Sequence, residues 1–111
     1  MGRFAHSPFH VYANPDGALV VRGELDMGTV DELQAKIDQV SVRGVAMVLD
    51  LTQLSFLDSA GIHCIVDTFL ATGHPVVLKN VSPAIRPFLD LVESLEFTSP
   101  AWTFDGEEAV S

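Results

Sequence analysis

Residues 48–61 read VLDLTQLSFLDSAG, and this stretch decides the fold. Its first four residues complete a nearly continuous apolar run over 45–51. Such runs are typical of strands that are covered on both faces, so the run predicts a central strand. A short loop is expected next, and Asp58-Ser59-Ala60-Gly61 would open a helix. The Ser59 hydroxyl is thereby expected at the positive end of a helix dipole, where a phosphate group is well accommodated.

The rest of the chain predicts strands and helices on both sides of this stretch. Before it we expect a β-hairpin, with strands over 9–13 and 18–23, and a helix that begins at Thr29 with a capping box. After it we expect a helix over 59–72, a strand over 75–79, a helix that begins after a Ser82 cap, and an edge strand within 98–104. The sequence therefore predicts one α/β domain over 1–111, in which an antiparallel hairpin and parallel strand–helix–strand units form a mixed sheet that carries helices.

The helical and turn patterns also predict where several side chains lie. We expect Met27 and Met47 to fill the core or its rim. Pro87 should bend the third helix or shift its start, and the residues from Asp105 to Glu108 resemble the start of a last helix. The expected inward side of the second helix comprises Ile62, Ile65, Val66, Phe69 and Leu70.

Composition limits the classes of function. The formal net charge of −9 argues against nucleic acid and anionic membranes as partners, and it permits a partner with a basic surface. The apolar runs are too short for a membrane span, and the N-terminus has no secretory apolar region, so we expect a cytoplasmic protein.

The sequence gives no sign of a cofactor or metal site. The single cysteine, Cys64, cannot form an internal disulfide and is expected to be a small buried hydrophobe. The four histidines lack the spacing of metal ligands, and no glycine-rich phosphate loop occurs. Asp50, inside an apolar strand, is expected to have a structural role.

Three blocks of the sequence, GELD at 23–26, the stretch 48–61, and SPAIR at 82–86, together resemble the STAS-domain anti-sigma factor antagonists of bacterial partner-switching circuits. The resemblance implies the STAS fold and a switch that is not itself an enzyme. It implies that an anti-sigma factor serine kinase binds the unphosphorylated protein, phosphorylates Ser59 and then releases it. It also implies that a PP2C-type phosphatase removes the phosphate.

The resemblance further implies a partner-binding surface at Asp26, at the turn Asp58-Ser59-Ala60-Gly61, and on the outer side of the second helix with His63. The family often has glycine where this chain has His63, so we expect this side chain to influence the choice of partner. The residues alone leave other roles open. Ser59 is also typical of an ordinary helix N-cap, Asp26 of a loop carboxylate, and Asp58 of either a cap or a group that orients Ser59 and a metal brought with the kinase's nucleotide.

Two other functions remain as alternatives. The same fold serves as a scaffold or regulatory subunit of a stressosome or a lipid-transport complex. An enzyme would need Ser59 or Cys64 as its nucleophile, with His63 as the histidine close in sequence, but no third group that would orient such a base is evident. The sequence favours the phosphorylation switch over both.

Overall fold

The computed structural model describes residues 8–95 and 101–106. An initial hairpin is followed by helices and parallel strands, as the sequence predicts, with one additional strand before the second helix. In chain order the elements are β1 (His10–Ala13), β2 (Leu19–Leu25), α1 (Val30–Val40), β3 (Val48–Asp50), β4 (Leu54–Leu57), α2 (Ser59–Thr72), β5 (Val76–Lys79), α3 (Arg86–Leu95) and β6 (Trp102–Phe104).

The strands form one mixed sheet in the order β1-β2-β3-β5-β6. β1 and β2 are antiparallel across the hairpin turn, while the neighbouring pairs β2–β3, β3–β5 and β5–β6 are parallel. β4 pairs in parallel with the last part of β2, off this main path. The predicted α/β architecture with an antiparallel hairpin and parallel units is therefore confirmed.

The core lies between the helices and one face of the sheet. Alternation along the strands selects this face: Leu49 and Leu78 are fully buried, whereas their neighbours Asp50 and Lys79 on the opposite face remain partly exposed. The buried cluster also takes in residues of all three helices: Leu33, Ile37, Ile62, Ile65 and Leu89. No helix in the described ranges is long and apolar enough to cross a bilayer.

The strand β4 lies where the sequence predicts a loop. Its buried residues Leu54 and Leu57 are three positions apart, which does not fit the two-residue period of a strand. A register shift in its pairing with β2 absorbs the extra residue, so both leucines reach the core. The central strand is correspondingly shorter than expected: β3 begins at Val48, and Val45 is exposed.

The third helix begins later than expected. A turn comes first, in which the backbone N–H groups of Ile85 and Arg86 donate to the Ser82 carbonyl, both at 3.0 Å. The Ser82 hydroxyl oxygen is buried and has no hydrogen-bond partner among the described residues, so its predicted capping role is wrong. The predicted effect of Pro87 on the helix start is confirmed: Pro87 is the second residue of α3, where its missing N–H leaves no helical bond unmade.

Two predicted core residues are instead exposed. Leu70 on α2 is 68% exposed and Met27 is 81% exposed, whereas Met47 is buried as expected. Leu70 lies on the side of α2 away from Ile62, Ile65 and the other buried residues of that helix. Of the last predicted helix, Asp105 and Gly106 form a turn, and Glu107 and Glu108 lie outside the described residues.

Candidate functional site

The predicted site residues meet at the carboxyl ends of two parallel strands. Leu25 at the end of β2 is the register partner of Leu57 at the end of β4, so Asp26 and Asp58 follow at the same edge of the sheet. The Asp58 backbone N–H donates to the Leu25 carbonyl at 3.2 Å and ties the two strand ends together. The β2–α1 loop and the start of α2 therefore form one surface.

Asp58 is the N-cap of α2. Its backbone is extended, and its Oδ1 atom accepts a hydrogen bond from the Ala60 backbone N–H at 2.9 Å. Its carbonyl accepts the first helical bond, from Ile62 N–H at 3.2 Å. The capping interpretation of Asp58 is therefore confirmed, and the interpretation of Ser59 as the N-cap is wrong, because Ser59 is the first helical residue.

We expect Asp58→Ala to lower the free energy of unfolding by about 1 kcal/mol, because one N–H group at the start of α2 loses its acceptor. Urea unfolding followed by circular dichroism measures the change. Asp58→Asn keeps an acceptor oxygen at the same position and should stay close to wild type. Equal losses in both variants would show that the charge, and not the cap, stabilises the helix.

Ser59 lies on the surface at the start of α2. The residue is exposed, and its side chain forms no hydrogen bond with any residue that the structure describes. It lies in the first turn of a helix of 14 residues, where unpaired backbone N–H groups and the helix dipole favour negative charge. Ala60 beside it is half-buried and adds no competing hydroxyl.

Gly61 supports the turn from the inside. It is buried, and a Cβ atom placed on it would lie 2.3 Å from Cδ1 of Leu57 and 2.9 Å from Cδ2 of Leu25. The absence of a side chain allows the first turn of α2 to pack directly on the ends of β2 and β4. The buried position of Gly61 therefore does not support a direct contact with a partner. Ser59, two residues earlier, is exposed and can be reached.

The β2–α1 loop is held by its own hydrogen bonds. Thr29 Oγ1 accepts from the Asp26 backbone N–H at 3.0 Å and donates to the Glu24 carbonyl at 2.7 Å. The Asp26 carboxylate accepts from the Gly28 N–H at 2.9 Å. The predicted loop position of Asp26 is therefore confirmed, and part of its surface remains available because the residue is only partly buried.

Met27 is the surface residue that sequence reasoning missed. Its side chain extends from the constrained loop between Asp26 and Gly28 and is 81% exposed. Large apolar side chains that stay this exposed at a site edge are typical contact residues of protein interfaces. The sequence feature that could have indicated its exposure is its place between the turn-forming residues Asp26 and Gly28, outside the apolar periodicity of any strand or helix.

His63 lies one helical turn beyond Ser59 and is also exposed. Residues four apart share a helix face, so His63 and Ser59 lie on the same outer side of α2. The position confirms that His63 projects outward, as expected, near the start of the helix. Its influence on the choice of partner stays a prediction.

Two ionisable side chains outside this surface have structural roles. Burial raises the pKa of Cys64 to about 11, with the nearby carboxylates of Asp67 and Asp38 adding to the effect, and its thiol donates to Gln34 at 3.3 Å. For Asp50, the effect of burial is outweighed by hydrogen bonds from Thr52 and Asn80, so its pKa lies below the ordinary value. Within the described ranges, no group of three or more histidine, cysteine or acidic residues could hold a metal ion.

Comparison with known proteins identifies a family and a similar solved structure. A family model described as the STAS domain matches residues 11–109. The fold is similar to the solved structure of the anti-sigma factor antagonist SpoIIAA in its unphosphorylated form, with a TM-score of 0.59 and 25% sequence identity, over 78% of this chain and 81% of that chain. No protein with a curated description matches the sequence significantly.

Proposed function

The chain belongs to the STAS domain family, and from this premise we propose that it is an anti-sigma factor antagonist controlled by phosphorylation of Ser59. Unphosphorylated, it binds an anti-sigma factor serine kinase and thereby frees a sigma factor. Phosphorylated, it releases that kinase. The similarity to SpoIIAA supports the antagonist class, and the geometry around Ser59 supports the switch.

The observation that carries the proposal is the free hydroxyl of Ser59 at the start of α2. Two other hydroxyl groups are engaged: in the β2–α1 loop Thr29 Oγ1 donates to the Glu24 carbonyl at 2.7 Å, and on the adjoining strand β4 Ser55 Oγ donates to the Gly23 carbonyl at 3.0 Å. A kinase would have to break those bonds, whereas Ser59 is exposed and unbonded among the described residues. The helix dipole then favours the added negative charge.

The chemistry of the switch is a phosphoryl transfer and its reversal. The kinase moves the γ-phosphoryl group of ATP to Ser59 Oγ: an O–P bond forms, the bond to ADP breaks, and a base of the kinase takes the hydroxyl proton. A PP2C-type phosphatase hydrolyses the ester to serine and inorganic phosphate. The chain itself supplies the acceptor and the surface that the enzymes recognise.

The proposed partner surface combines an exposed apolar side chain with negatively charged side chains. Met27 supplies the exposed apolar side chain, and Asp26 and Asp58 supply negative charge at the same sheet edge. The net charge of −9 favours a kinase with a basic surface, because opposite charges accelerate encounter. Ser59 and His63 would lie at the helix side of the same interface.

We assign the chain no enzymatic activity, cofactor or metal, and we place it in the cytoplasm with its kinase. The raised pKa of Cys64 keeps the thiol neutral and unreactive near neutral pH, which argues against a cysteine nucleophile. His63 makes no hydrogen bond to a described residue that would orient it as a base for Ser59. These observations favour a binding switch over a hydrolase.

Incubation with the cognate anti-sigma kinase and ATP, followed by intact mass measurement, tests the acceptor. We expect wild type to gain one phosphate and Ser59→Ala to gain none. Ser55→Ala is the matched control, because it removes an exposed serine hydroxyl from the strand that leads into α2 and should still be phosphorylated. A phosphate gained by Ser59→Ala would place the acceptor elsewhere.

Binding measured with Ser59→Ala and with the phosphorylated protein separates the switch from the scaffold alternative. A stressosome or lipid-transport subunit would assemble with its complex whether or not Ser59 carries a phosphate. Stable binding to such a complex by both Ser59→Ala and the phosphorylated protein would favour the scaffold. Binding to a kinase that ends when Ser59 is phosphorylated would favour the switch.

A further inference from the structure

Ser59 and His63 lie one turn apart on the exposed side of α2. Neither side chain makes a hydrogen bond or ion pair within 8–95 and 101–106. Helical side chains lean toward the helix N-terminus, so the side chain of His63 covers the turn that begins at Ser59. The spacing therefore puts His63 one turn from Ser59 on the same side of α2, within reach of a group attached to the serine hydroxyl.

We propose that His63 is the intramolecular partner of the Ser59 phosphate and keeps the phosphate in its doubly charged form. This inference rests on the phosphorylation of Ser59 proposed above and adds a regulatory residue to that site. A phosphate carries three acceptor oxygens, and a protonated imidazole offers a charged donor one turn away. The resulting pair has the i, i+4 spacing that stabilises opposite charges on a helix.

The other charged groups around His63 are mostly acidic. Asp58 and Asp67 lie on either side of it along α2, and Asp26 lies in the adjoining loop. The helix α1, which packs against α2, and the ends of β5 and β6 contribute the remaining charged side chains: Asp31, Glu32, Lys36, Asp38, Lys79 and Asp105.

Neither of the two lysines in this set is positioned to serve the phosphate. Lys36 lines a surface hollow with Val11, on the β1 side of α1, and Lys79 pairs with Asp16 at 3.7 Å. His63 shares the exposed side of α2 with Ser59 and is the candidate on this helix side to bring positive charge to the Ser59 phosphate.

The pairing of His63 with the Ser59 phosphate matters because the phosphate can take up a proton and lose its second negative charge. The second pKa of phosphoserine is about 6, and neighbouring carboxylates raise it by repelling the second negative charge. Asp26 and Asp58 have this effect at Ser59, so the phosphate would lose charge in mildly acidic conditions. A positive charge on His63 would oppose that loss, because it stabilises the doubly charged phosphate. The histidine would thus keep the released state effective at mildly acidic pH.

Phosphorus NMR of the full chain with phosphoserine encoded at position 59 during synthesis tests this inference without any kinase. We expect the titration midpoint of the phosphate to lie about 0.3 to 1 pH unit lower in the wild-type background than in His63→Ala. His63→Lys should keep the low midpoint, because it retains a cation. His74→Ala removes a histidine beyond the far end of α2 and should match wild type.

Equal midpoints for the wild-type background and His63→Ala would overturn the inference, and so would a difference that His74→Ala reproduces. Because the phosphoserine is installed directly, a failure of kinases to modify Ser59 would leave this measurement intact. The two proposals can therefore fail separately. His63 is exposed, so the fold of each variant is expected to persist, and circular dichroism confirms it before the titration.

Discussion

Phosphorylation of Ser59 is expected to weaken binding to the anti-sigma kinase by a factor on the order of 10²–10⁴. The phosphate adds a charge of about −1.5 to −2 at a place where the partner surface fits a neutral hydroxyl. It also adds this charge beside Asp26 and Asp58, at the joined ends of β2 and β4. Burying such a group without a new partner costs several kcal/mol, which accounts for the predicted factor.

Calorimetric titration of the kinase with phosphorylated and unmodified chain measures this loss. Phosphoserine encoded at Ser94, an exposed residue on α3, is the matched control for charge alone and should change the affinity little. Thermal unfolding of the Ser59 phosphoprotein should remain near that of the unmodified chain, because a helix N-terminus accommodates a phosphate. Equal affinity of both forms for the kinase would refute the switch.

The site was more predictable from the sequence than the surface around it. Asp58 carries a local signal, since an aspartate is a preferred N-cap residue, and Ser59 follows it as the first helical residue. Their approach to Asp26 follows from parallel pairing, which brings strand ends to one edge. Local chemistry and topology were therefore sufficient to place Asp26, Asp58 and Ser59 at one edge of the sheet.

Other features depend on packing that the residue pattern does not encode. β4 is hidden in the sequence because a register shift changes the spacing of Leu54 and Leu57. The helix α2 is apolar on most sides, so its pattern could not distinguish the exposed Leu70 from the buried Ile65. The exposure of Met27 depends on how the β2–α1 loop turns away from the core.

Gly61→Val is expected to lower the free energy of unfolding by about 2 to 3 kcal/mol. Its Cβ atom alone would lie 2.3 Å from Cδ1 of Leu57, and 2.9 and 3.0 Å from Cδ2 and Cγ of Leu25. Both leucines are buried, so neither can turn away without disturbing the core. Better helix propensity than glycine recovers only a few tenths of a kcal/mol. Urea unfolding followed by fluorescence of Trp102 measures the difference.

Gly28→Ala is the control for loss of a glycine at the same surface. A Cβ atom there would meet its nearest neighbour, Asp26 Oδ1, at an ordinary 3.4 Å, so we expect stability close to wild type. Gly61→Val should also weaken kinase binding, because the first turn of α2 must move away from β4 and carry Ser59 with it. Wild-type stability in Gly61→Val would mean that the first turn is not packed on Leu25 and Leu57 as described. If the variant is destabilised but binds the kinase normally, then α2 can shift without disturbing the surface that the kinase recognises.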